Sequence, residues 1–123
     1  MLDFKTEVYP LILKKLAEKR RYFTKTENEP NFVKLDGDTV MVRTIKSKPN
    51  YEKIPHEFFE KTWDILKSKG RVKQSDLSKV HHVKRSAFML IAFDLLDEVQ
   101  YKDFNNSLVL KNWSTLKNRP CSL

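Results

Sequence analysis

The sequence predicts a small α+β fold. Apolar residues recur at helical spacing around Val8–Leu16 and again around Phe59–Leu66, and β-prone runs flank Asp36-Gly37-Asp38 and Asn105-Asn106. The third observation is length: 123 residues can bury one substantial core but not two of ordinary size.

The first element is a helix over residues 5–22. Val8, Leu11, Ile12 and Leu16 follow its period, Pro10 sits near its start, and Lys19-Arg20-Arg21 places cations where the helix dipole favours them. Two strands follow over 32–35 and 39–45, joined at Asp36-Gly37-Asp38, where glycine supplies the positive φ of a tight hairpin turn. A polar link over 46–50 contains Pro49, which bars a helix there.

Pro55 then opens a helix to Lys69, with Phe59, Thr62, Trp63 and Leu66 in one stripe and Gly70 as the left-handed stop. Arg71-Val72 is a very short strand. Ser75 is the expected N-cap of a short helix over 76–80. After a turn at His81-His82 comes a longer helix over 83–96. Strands over 98–102 and 108–111 follow, with Trp113 placed behind them. The expected organisation is an N-terminal helix and hairpin (1–50) packed on a main unit (51–113), then a flexible tail (114–123).

Composition excludes several classes. A third of the residues are charged and 14 are aromatic, so the chain is ordered rather than disordered. Two glycines leave no glycine-rich cofactor loop, and no cofactor is expected. The longest apolar run, residues 87–93, is far short of the roughly 20 residues a membrane span needs. Met1-Leu2-Asp3-Phe4-Lys5 lacks the apolar segment of a secretion signal. One cysteine, Cys121, permits neither an internal disulfide nor a cysteine-rich zinc site, and the simpler compartment is reducing: the cytoplasm, nucleoid included.

The formal net charge of +8 is concentrated. Residues 67–85 hold seven basic groups against Asp76, and residues 14–25 hold six against Glu18. Clustering of this kind points to a polyanion, most commonly nucleic acid; a solvated lysine-rich surface is the plain alternative.

Helix, short strand, short helix, turn, longer helix and hairpin, read from Pro55 to Trp113, resemble the winged-helix form of the helix-turn-helix DNA-binding domain. The resemblance implies a third helix whose N-terminal end meets base edges in the major groove. The matching positions are His81, His82, Lys84, Arg85 and Ser86, with Arg85 suited to the fork of a guanine edge. It also implies phosphate contacts from Lys73 and Lys79, and a wing offering Lys102, Asn105, Asn106 and Lys111. The expected partner is double-stranded DNA, and the expected role that of a small transcriptional regulator or DNA-associated accessory factor.

Against this stands the third helix itself, apolar almost all round after its first turn. Such a helix is buried, covered by the N-terminal elements or by a partner or second copy docking through Phe88, Met89 and Phe93. The second arrangement makes the domain a protein-interaction module. Catalysis has little support. Asp36 and Asp38 read as turn formers, and Glu57, Glu60 and Asp64 as a solvated helix face. His81-His82 has no third ligand at a workable spacing, so no metal is expected. Two smaller signals remain: Lys19-Arg20-Arg21-Tyr22-Phe23 mixes cations with rings, fit either to meet phosphate and a stacked base or to cap the helix beside core aromatics, and the 32–45 hairpin with its following link carries Lys34, Arg43, Lys46 and Lys48, which either extend the basic face or protect a sheet edge.

Overall fold

The computed structural model describes residues 3–25, 28–44, 50–81, 83 and 85–111. Ile45 and most of the expected polar link, His82, Lys84, Trp113 and the expected tail lie outside the described residues. The fold is mixed α+β, with two antiparallel sheets and their helices around one continuous hydrophobic core.

The chain opens with a π-helical turn, Phe4–Val8, leading into α1, Tyr9–Leu16. Asp3 caps the turn by accepting from the Thr6 amide at 3.0 Å and the Thr6 hydroxyl at 2.8 Å, which lowers the Asp3 pKa. Pro10 has no N–H for the carbonyl four residues back and its ring crowds that carbonyl, a cause for the wider turn ahead of it. The helix stops at Leu16, not at residue 22. The buried Tyr22 hydroxyl donates to the carbonyls of Lys15 and Leu16 at 2.9 and 3.0 Å, satisfying the helix end from outside. Arg21–Phe23 is thereby strand β1.

Strands β2 (Pro30–Asp36) and β3 (Thr39–Thr44) form the expected hairpin, with Asp36 opposite Thr39 and Gly37 at φ 62° as first residue of the two-residue turn. An unexpected strand, β4 (Glu52–Ile54), pairs with β3 and completes a sheet of order β1-β2-β3-β4. Residues assigned by sequence to the main unit therefore belong to the first sheet. Val33, Val40, Val42 and Ile54 line its buried face.

Helix α2 (His56–Lys69) ends at Gly70, left-handed at φ 77°. Then come β5 (Arg71–Lys73), α3 (Gln74–Lys79), α4 (Ser86–Asp94), β6 (Val99–Lys102), a 3₁₀ turn (Asp103–Asn105) and β7 (Ser107–Leu110). The second sheet has the order β5-β7-β6.

Two boundaries differ from expectation. Ser75 lies inside α3; the acceptor for the Gln74 amide is the carbonyl of Asn106, at 3.1 Å in the β6–β7 turn. Helix α4 starts at Ser86, because Arg85 is left-handed at φ 61° and the Val83 amide already donates to Leu77 at 2.8 Å.

Phe88, Met89 and Phe93 are 1%, 0% and 0% exposed, so the expected docking of a partner or second copy through them is overturned. The chain covers its own helix. Phe93 stacks on Trp63 of α2 with ring centroids 6.5 Å apart and planes at 9°, and lies 6.4 Å from Phe59. Helices α1 and α3 and strands β6 and β7 also pack on α4.

Phe93→Ala should lower unfolding free energy by about 3–5 kcal/mol, from lost burial plus a cavity, as read by urea denaturation. Tyr9 provides a pH signature. Its hydroxyl donates to the Asp38 carbonyl at 2.6 Å, and burial, with the Asp38 charge second, pushes its pKa up to about 12 from the ordinary 10.0. Between those values the unfolded chain has lost a proton that the folded chain keeps, so stability falls as pH rises. Melting temperatures from pH 10 to 12 should fall more steeply for the wild type than for Tyr9→Phe.

Candidate nucleic-acid interface

A strand sends alternate side chains to opposite faces, and residues paired across a ladder share a face. In the second sheet Val72, Leu108, Leu110 and Val99 point into the core. Lys73, Ser107 and Lys102 therefore make one row of the outer face, and Arg71, Val109 and Gln100 the next. Lys111 continues the alternation of β7, its amide donating to the Glu98 carbonyl at 2.7 Å. Arg71 and Lys73 of β5 and Lys102 of β6 thus share one face, and Lys111 follows directly after β7 with Glu98 beside it. Lys73 and Lys102 are two strands apart, about 10 Å at the usual strand spacing.

Three of the expected DNA contacts hold internal bonds instead. Arg85 donates through Nε and Nη2 to the Glu52 carboxylate, which ties the α4 entry to β4 and takes the fork meant for a base edge. Ser86 is buried. Asn106, left-handed at φ 48°, accepts from the Tyr101 hydroxyl at 2.7 Å and donates to Gln74 Oε1 at 2.5 Å, so it builds the wing turn onto α3. Asn105 accepts from the buried Ser107 hydroxyl at 2.5 Å. Lys79 is exposed at the end of α3, and His81 is half-buried, its amide donating to the Asp76 carbonyl at 3.1 Å. His82 and Lys84 lie outside the described residues. The base-edge constellation expected at residues 81–86 is therefore not assembled by Arg85 and Ser86, whereas Lys73, Lys102 and Lys111 come together.

Sequence reasoning passed over Arg71 and Gln100. The period-two alternation that puts Lys73 and Lys102 outward was the signal that would have found them. The segment from Lys19 to Phe23 lies past the end of α1, so its cations do not cap that helix. Tyr22 is core, and its burial raises its pKa, while Phe23 is 43% exposed.

Among the described residues no group of three His, Cys, Asp or Glu side chains is placed to hold a metal ion. No helix among them is long and apolar enough to cross a membrane. Comparison with protein-family models, curated proteins and solved structures yields no match to this chain.

Asn106→Gly should be tolerated better than Asn106→Ala. Glycine keeps the left-handed turn and loses the side-chain bonds, whereas alanine loses both. The expected gap is about 1 kcal/mol in chemical denaturation.

Proposed function

We propose that the protein is a non-catalytic DNA-binding protein of winged-helix type that grips the duplex backbone with the outer face of its second sheet. One observation carries the proposal: Arg71 and Lys73 of β5 and Lys102 of β6 stand on one face, with Lys111 just past the end of β7. The winged-helix reading is supported by the order α2-β5-α3-α4-β6-β7 with β7 between its two partners.

Such contacts neutralise phosphates and carry no sequence information. The burial of α4 and the engagement of Arg85 by Glu52 favour a DNA-associated accessory factor over a regulator that reads a defined site. Two cations about 10 Å apart are close enough to meet nearby phosphates of one strand, so both can engage the same backbone.

Binding of a labelled duplex, followed by anisotropy from about 50 to 200 mM salt, tests this. Lys73→Ala and Lys102→Ala should each weaken binding several-fold and lower the log–log salt slope by about 0.9. Arg85→Ala should change neither, and its ion pair with the exposed Glu52 should contribute at most about 1 kcal/mol of stability. Duplex affinity that ignores salt, or that survives both lysine replacements, sinks the proposal.

A further inference from the structure

The first sheet also has an outer face, and its chemistry differs. Val33, Val42 and Ile54 point inward, so their strand neighbours point out. Arg21 of β1 is opposite Phe32 of β2, and Phe32 is opposite Arg43 of β3. The Arg43 guanidinium lies 4.4 Å from the Phe32 ring centroid and 5.5 Å from that of Tyr51, which precedes β4. Arg21, Phe32, Arg43 and Tyr51 thus form a row of alternating cations and rings. Lys34, in the next row, has its ammonium 5.7 Å from the Tyr51 ring.

At the edge of this face a cleft of about 490 Å³ opens between the end of α1 and β2. Lys19, Arg20 and Lys34 line it together with Phe32 and Tyr51. The volume is in the range of small-ligand sites, which run from about 300 to 1,000 Å³. Asp36, at the hairpin end of β2, is the acid of matching parity on that strand.

We propose that this face and its cleft bind single-stranded nucleic acid, with bases stacked on Phe32, Tyr51 and the Arg43 guanidinium and phosphates held by Arg21, Lys34 and the Lys19-Arg20 pair. The ring faces and the guanidinium plane are what unstacked bases use, and the surrounding cations match a polyanion. A duplex hides its base faces inside the stack, so its backbone alone would reach this surface. The proposal shares no residue with the duplex-binding face, so either can fail alone.

The probe is a labelled oligomer of about 12 nucleotides, oligo(dT) or oligo(U), titrated against the full chain. Saturable binding is expected, weakened about tenfold by Phe32→Leu and again by Tyr51→Leu, and several-fold by Arg43→Gln. The tighter oligomer tells DNA from RNA. Lys73→Ala and Lys102→Ala should leave it within about twofold. An abasic chain of the same length should bind far more weakly. Should the leucine variants unfold, photocrosslinking of the wild type to a bromouridine oligomer reads the same site: adducts on Phe32 or Tyr51 support the proposal, and adducts confined elsewhere overturn it. It is also overturned if neither oligomer binds, if the abasic chain binds equally well, or if folded leucine variants bind like the wild type.

Discussion

A helix without a polar face sets the terms for the rest of this structure. From Phe88 to Phe93 every side chain of α4 is buried. Each large apolar group so removed from water contributes about 1.5–3 kcal/mol, so no arrangement that leaves one flank of α4 in solvent competes. Five elements meet around it: α1, α2, α3, β6 and β7. The aromatic stack of Phe93 on Trp63 fixes α4 against α2, and Lys25 reaches from beyond β1 to Asp94 at 2.6 Å to close its C-terminal end.

Burial of α4 decides where charge can go. Cations cannot follow the helix inward without partners, since a desolvated charge costs several kcal/mol. They are displaced to the strands, whose alternation delivers every second side chain to water. This gives the two sheets basic outer faces. It also leaves α4 without a solvent-facing flank from Phe88 to Phe93. The entry to α4 is bound inward as well, by the Arg85–Glu52 pair and the Val83–Leu77 hydrogen bond.

Local patterns made most of the α+β fold legible. Gly37 and Gly70 both take the positive φ that their positions demand, and the stripe of Phe59, Thr62, Trp63 and Leu66 is the buried face of α2. What the pattern could not carry was long-range. Residues 17–22 have good helical propensity, yet Tyr22 satisfies the end of α1 with a hydroxyl and lends its backbone to a sheet. Ser75 looked like a cap because the true acceptor, the Asn106 carbonyl, is some thirty residues away in sequence. Strand β4 is only three residues long and exists because β3 offers it an edge. For the candidate site, residue type was a good guide to exposure and a poor one to role. Lys73 and Lys102 stand on the outer face of the second sheet, but Arg85 and Asn106 are held by the fold itself.

The two outer faces bear on what kind of selectivity this chain can have. Reading a base sequence needs side chains that reach base edges with fixed donors and acceptors. On the second sheet the outward cations are Arg71, Lys73 and Lys102, which on the proposed reading respond to phosphates. On the first sheet they are rings and guanidinium planes, which respond to any exposed base, because every base has a π-face. On the proposed readings neither surface supplies the fixed base-edge donors and acceptors that sequence readout needs. As proposed, only the first sheet separates unpaired from paired strands, because only an unpaired strand offers base faces, while the second sheet meets the phosphates common to both. On the proposed reading, the selectivity built into this molecule is for strand form. It rests on the burial of α4 in the core, which leaves the strands to carry the outward charge.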